Sequence, residues 1–183
     1  MLSPNFSPFP VLETDRLILR QVTINDAAPL FFLRSSEEVM KYIDRPKAAT
    51  LQDAVDLIYR LEDVRQKNDG INWGITLKGK DEVIGTIALF HLQKENYRGE
   101  IGYLLHPLHQ GKGIMKEAIK KVLDYGFSVI QLHSVEATTN VNNEISQKLL
   151  ESVGFLREAY FRENYFYNGQ FMDSAIYCLL APQ

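Results

Sequence analysis

Glu100-Ile101-Gly102-Tyr103-Leu104-Leu105-His106-Pro107-Leu108-His109-Gln110-Gly111-Lys112-Gly113-Ile114-Met115-Lys116 is the stretch from which the fold can be read. Ile101, Tyr103 and Leu105 alternate with Glu100, Gly102 and Leu104, the two-residue repeat of a pleated strand. Pro107 cannot donate a ladder hydrogen bond and biases His106 towards an extended conformation, so the strand ends there. Beyond Gln110-Gly111-Lys112-Gly113, the residues Ile114, Ala118, Ile119, Val122, Leu123 and Gly126 fall on one face of a helix. Lys116, Glu117, Lys120 and Lys121 fall largely opposite. Strand, glycine loop and helix N-terminus follow one another, a junction suited to an anion, because the first amides of a helix have no internal partner and carry roughly half a positive charge. The same glycines also fit a plain turn. A nucleotide-triphosphate loop is excluded by the missing Gly-Lys-Ser/Thr, and a dinucleotide fingerprint by Lys116 where a third glycine belongs.

Working outward, the two-residue period extends upstream over 71–78 and 82–92, with short turns between, which predicts an antiparallel meander ending on the Glu100 strand. Before it, 16–22 reads as a strand, Asn25-Asp26 as the cap of a helix reaching Val39, and Thr50-Leu51-Gln52-Asp53 as the cap of a second helix. After the glycine loop come a helix over 111–130, a strand over 133–139, a helix over 143–153 closed by Gly154, and a hairpin of 155–165 and 170–180 around Asn168-Gly169. Residues 1–12, with Pro4, Pro8 and Pro10, read as an extended arm whose Phe6, Phe9 and Val11 dock on a single domain spanning 13–183.

Gln110, Gly113 and the preceding Glu-Ile-Gly-Tyr-Leu resemble the acetyl-coenzyme A signature of the GNAT superfamily of N-acetyltransferases, and the flanking residues are most similar to its Rim-type ribosomal-protein N-terminal acetyltransferases. Met115 departs from that pattern, which has a small residue there. The order of elements is also similar, from Glu13 to Leu180. The resemblance implies an α/β (α+β) fold with a mostly antiparallel sheet of about seven strands, one splayed parallel pair and about four helices. It further implies acetyl-CoA as co-substrate. Tyr103, Leu104 and Leu105 would pair with the pantetheine arm, and Gln110, Gly111, Lys112, Gly113, Ile114 and Met115 would cradle the diphosphate. Asn143, in a segment similar to the family's Asn-x-x-Ser helix ending in Gly-Phe, would bond the cofactor arm; an ordinary helix cap is the competing role.

An amine attacks a thioester only as the neutral base, so the chemistry needs a proton acceptor, a carbonyl-polarising donor and a source of protons for the departing thiolate. Glu100 is the expected base, directly or through a water, as the resemblance implies for a glutamate here in several subgroups; an ion pair to Arg98, Lys94 or a neighbouring strand is the structural alternative, and an amide near Leu104 is the expected polarising donor. The family often has a tyrosine where this chain has Leu150, which leaves Ser146 as the expected thiolate donor. Trp73 and Tyr103 are candidates to wall the acceptor pocket, although aromatics on strands are commonly core. His106 and His109 have a metal-like spacing but no third ligand nearby in sequence, so no metal is expected.

The composition agrees with such an enzyme. The chain has 183 residues, 45% hydrophobic and 23% charged, and a formal net charge of -3, which gives no basic field for nucleic acid. A single cysteine, Cys178, fits a reducing compartment, and no apolar run approaches the roughly 20 residues of a membrane helix. The expectation is a cytoplasmic N-acetyltransferase, free of membrane and nucleic acid, with a homodimer permitted and a protein N-terminal amine as favoured acceptor. Two alternatives stay open: a small-molecule amine acetyltransferase, and a non-catalytic acyl-CoA-binding module.

Overall fold

A computed structural model describes residues 1–182; Gln183, the last residue of the expected domain, lies outside the described residues. Eight strands form one sheet: β1 (Leu12–Glu13), β2 (Leu17–Gln21), β3 (Ile71–Leu77), β4 (Gly85–Gln93), β5 (Arg98–Leu105), β6 (Ser134–Asn140), β7 (Leu156–Tyr167) and β8 (Gln170–Leu180). Their spatial order is β1-β2-β3-β4-β5-β6-β8-β7, and every neighbouring pair is antiparallel except β5 with β6. The helices are α1 (Ala27–Ser35), α2 (Glu37–Met40), α3 (Leu51–Gln66), α4 (Ile114–Ser128) and α5 (Glu144–Ser152).

The extra strand and extra helix have local causes. β1 is two residues long, too short to show a period. The helix expected to reach Val39 breaks at Ser36, whose extended backbone (ψ 125°) ends α1 while its hydroxyl accepts the Val39 N–H and starts α2. Pro29 is tolerated because it stands in the first turn of α1, where its missing N–H has no helical partner. Asn168 and Gly169 both have positive φ (48° and 79°), as a two-residue hairpin turn matching the twist of β7 and β8 requires.

The main core lies between the sheet and α4, whose Ile114, Met115, Ala118, Ile119, Val122 and Leu123 are all buried. The N-terminal arm belongs to this core: Leu2 and Phe6 are buried and Phe9 packs edge-on against Trp73. Val11 does not dock; it is 55% exposed. A second cluster joins Val22 to Ala27 and Leu30 of α1 and to Ala54 and Ile58 of α3.

Arg20 fixes this second layer to the sheet. Its guanidinium donates to both carboxylate oxygens of Asp26 at 2.9 and 2.8 Å, and the Thr23 N–H donates to the same group at 2.7 Å. Burial alone would raise the Asp26 pKa, but the Arg20 and Thr23 hydrogen bonds outweigh it and hold the carboxyl below its ordinary 3.8. A depressed folded pKa stabilises above the unfolded value and stops doing so as pH falls through the folded one. Asp26→Asn is therefore expected to cost about 3 kcal/mol in urea unfolding at pH 7, with the difference from wild type shrinking once the pH falls below about 4.

Candidate active site

The parallel pair opens where the sequence begins its decisive stretch. Between β5 and β6 the register runs Arg98↔Ser134, Gly99↔Val135, Glu100↔Glu136 and stops. β5 nevertheless stays paired with β4 as far as Leu105, and β6 with β8 as far as Asn140. Beyond Glu100 the two strands therefore part, leaving a wedge with one exposed ladder edge on each side.

The phase of the β4–β5 ladder decides which groups face that wedge. The His106 N–H donates to the Ile84 carbonyl at 2.8 Å, and the Leu104 carbonyl points at β4 so closely that a Cβ on Gly85 would lie 2.6 Å from it. Antiparallel pairs alternate, so Glu100, Gly102 and Leu104 exchange main-chain bonds with β4, while Ile101, Tyr103 and Leu105 turn theirs towards the wedge. This corrects the expected role of Leu104: its amide is engaged by β4, and Tyr103 and Leu105 carry the wedge-facing groups.

Side chains alternate as well. Gly99, Ile101, Tyr103 and Leu105 belong to the α4 side, where Ile101 and Leu105 are buried and Tyr103 packs on the core; Glu100, Gly102 and Leu104 belong to the other. On the α4 side the Tyr103 hydroxyl meets the Ser146 hydroxyl of α5 at 2.8 Å, tying β5 to α5 where the ladder has ended. Burial pushes the Tyr103 phenol up to about 12, so it remains a proton carrier at any physiological pH. On the opposite side Glu100 is only 22% exposed, and its partner is on the neighbouring strand, as the structural alternative allowed: His91 of β4, with Nδ1 at 2.8 Å from the carboxylate, and not Arg98 or Lys94. Arg98 is paired with Glu136, and Lys94 with Asp69.

The glycine loop follows β5 through a 3-10 turn over Pro107–His109. Gly111 (φ 70°) and Gly113 (φ 73°) are both left-handed, and a Cβ at Gly111 would meet nothing within 4 Å, so the loop faces open space. Gly113 caps α4, whose first amides, on Ile114, Met115 and Lys116, precede any intrahelical acceptor. Met115 does not crowd them: its side chain is 6% exposed and packs in the core. The Gln110 amide nitrogen donates to the Leu105 carbonyl at 3.2 Å, and Lys112 Nζ to the Leu108 carbonyl at 2.7 Å, so both side chains brace the loop.

A residue not foreseen completes it. Arg16 donates from Nη1 to the Lys112 carbonyl at 3.0 Å and from Nε to Glu117 Oε2 at 2.6 Å, strapping the loop and the first turn of α4 to the start of β2. Glu117, one turn after Gly113, was the only sequence signal that a cationic partner was needed. Asn143 is an N-cap, its Oδ1 accepting the Ser146 N–H at 3.1 Å, which positions the hydroxyl that meets Tyr103. Trp73 does not wall a pocket: it is fully buried, its Nε1 donates to the Pro10 carbonyl at 2.8 Å, and Tyr125 packs edge-on against it. At the far end of β6, the Tyr165 hydroxyl donates to Asp44 at 2.5 Å and receives the Asn140 amide at 3.3 Å, which brings the loop after α2 to the end of that strand. A separate recess of about 260 Å³ between α1 and α3, lined by Arg34, Lys47 and Arg60 among others, shares no residue with this site.

A left-handed glycine loop at a helix N-terminus, an arrangement suited to an anion, beside a gap where two parallel strands part, suits an acyl-CoA-dependent transferase. The chain belongs to the GNAT acetyltransferase family, whose domain model matches residues 16–156. It is 38% identical over 175 residues to the uncharacterized N-acetyltransferase YoaA of Bacillus subtilis, covering 96% of this chain and 99% of that one. It is 35% identical over 112 residues to the putative ribosomal N-acetyltransferase YdaF of the same organism, 61% of this chain and 60% of that one. Its fold matches the crystal structure of a spermidine N-acetyltransferase from Vibrio cholerae in complex with CoA and spermine with a TM-score of 0.80 at 24% identity, covering 91% and 96%. The protein is an N-acetyltransferase that uses acetyl-CoA as its donor. Among the described residues no helix is long and apolar enough to cross a membrane.

Proposed function

We propose that the protein acetylates the α-amine of a protein N-terminus by direct attack on the acetyl-CoA thioester. The observation that carries the reading is the parting of β5 and β6 beyond Glu100 beside the Gly111–Gly113 loop. Main-chain groups of Tyr103 and Leu105 line the gap for the pantetheine arm, Gln110 to Met115 with Asn143 hold the remainder of the carrier, and the wedge-facing Tyr103 or Leu105 amide polarises the carbonyl. An α-amine, with an ordinary pKa of about 7.7–8.0, presents a reactive neutral fraction at pH 7 that a lysine near 10.4 does not. Kinship with YdaF favours a protein acceptor, while the polyamine enzyme of the same fold keeps spermidine as the competitor.

Glu100 accepts the amine proton, and the Ser146–Tyr103 pair protonates the departing thiolate. Because a thiol titrates near 8.5, that second proton is easily supplied, and Ser146→Ala is expected to lower kcat by about tenfold, less than the 10²–10⁴ of full acid–base catalysis. An unchanged rate would remove Ser146 from the mechanism. The acceptor class is tested by thiol release from acetyl-CoA with free N-terminal peptides, the same peptides blocked at the N-terminus, and spermidine. Turnover confined to free N-termini supports the reading; a spermidine kcat/KM tenfold above that of every peptide replaces it with a small-molecule acceptor.

A further inference from the structure

Among the described residues the Glu100 carboxylate hydrogen-bonds one titratable side chain, His91, which sits where the backbone is distorted. The β4–β5 register shifts between Phe90 and Gln93, and within that irregularity His91 adopts φ 48°, a left-handed conformation that costs a non-glycine residue on the order of 1 kcal/mol. Bulges of this kind re-aim a side chain next to a site. Here the result is the 2.8 Å contact between Nδ1 and the Glu100 carboxylate, with the Phe90 ring edge-on to the imidazole at 4.7 Å. The carboxylate is 22% exposed and the imidazole 70%. Nε2 has no hydrogen-bond partner among the described residues. The other charged groups nearest this part of the sheet are already engaged, Arg98 with Glu136 and Lys94 with Asp69. One ring therefore spans from a shielded carboxylate to solvent.

We infer that His91 is the proton exit of Glu100 in the reaction proposed above, on whose assignment of the base this rests. The proton count requires an exit. An acceptor arriving as an ammonium ion gives its first proton to Glu100; its freed electron pair forms the N–C bond; as collapse of the tetrahedral adduct breaks C–S, the Ser146–Tyr103 pair gives a proton to the thiolate and takes up the second N–H proton of the adduct. Acetamide and thiol leave, and one proton remains on Glu100. That proton passes to an unprotonated Nδ1, the Nε2–H proton leaves to water, and proton exchange of the 70% exposed imidazole with water restores its Nε2–H form, so that carboxylate and ring are both ready for the next amine. His91 touches no reacting atom; it acts through Glu100.

The contact could instead only orient the carboxylate, and two substitutions separate the roles. In Asn, the amide N–H reproduces an Nδ1–H donor and the residue tolerates positive φ, but it relays no proton. In weakly buffered solution His91→Asn and His91→Ala are both expected to lower kcat by about tenfold with the KM for acetyl-CoA unchanged, and added imidazole is expected to restore His91→Ala. A wild-type rate in His91→Asn would make the contact purely orienting, and an unchanged rate or absent imidazole rescue in His91→Ala would also overturn the inference. Glu100→Gln, assayed alongside, keeps the two readings apart. If it is fully active, the base assignment falls and the exit with it; if it is inactive while His91→Ala is normal, the exit alone falls.

Discussion

Glu100→Gln should lower kcat by roughly 10²–10⁴-fold while the Kd for acetyl-CoA stays within about twofold of wild type. The split follows from the ladder. Glu100 is the last β5 residue in register with β6, and its main chain is exchanged with β4, so the substitution leaves the wedge-facing groups of Tyr103 and Leu105 as they are. Its side chain lies on the face opposite Tyr103 and Ser146, so the proton leaving the amine and the proton reaching the sulfur are handled from opposite sides of the sheet. The amide keeps the size of the carboxyl and could still meet His91, but it cannot accept the amine proton. Single-turnover rates with saturating acetyl-CoA measure the effect, and a loss under threefold in a folded protein would dismiss Glu100 as base.

The second large effect is on binding. Gly113→Val is expected to weaken acetyl-CoA by roughly 10²–10³-fold, read by calorimetry. Gly113 has φ 73° and stands as the cap from which the first amides of α4 project. A β-branched residue there either strains the backbone by about 1–2 kcal/mol or pulls the loop out of its conformation. Loss of one charge-assisted amide bond to a phosphate adds about 1.5–3 kcal/mol, and each 1.4 kcal/mol is tenfold in affinity. The nearest atom to a Cβ at this position is a nitrogen of Arg16 at 3.5 Å, so the substitution also presses on the strap that holds Lys112 and Glu117. The kcat at saturating donor should fall far less than the affinity, the reverse of the Glu100 pattern.

What the sequence disclosed and what it withheld divide along physical lines. Period-two runs, the Gly-Lys-Gly junction and Gly154-Phe155 are local signals, and each marks an expected element to within about three residues: α4 begins at Ile114, β4 at Gly85 and β7 at Leu156. The meander and the lone parallel pair followed from connection lengths and from the family pattern. Contacts spanning the chain were not legible. Arg16 reaches Lys112 and Glu117 from about a hundred residues away, and Asp44 meets Tyr165 over a separation of 121 residues. Neither pairing leaves a trace in periodicity. Leu104 was misjudged because a strand's ladder phase depends on the register of its partner, fixed here by His106 and Ile84. Trp73 was ambiguous because an alternating strand shows which residues share a face without showing which face is covered. Burial under the arm and Tyr125 places it in the core. His91 escaped notice because a single extra residue in a ladder looks like continuous strand in one dimension.

The open seam between β5 and β6 should also tie the stability of the protein to whatever fills it. An edge that hydrogen-bonds only when a donor molecule lies in it is part of the native structure only in the presence of that donor, and a concentration a hundred times Kd would add about 2.7 kcal/mol to the resistance against unfolding. Because free coenzyme A carries the same arm and diphosphate, it should protect the chain against heat and proteases about as well as the acylated carrier does.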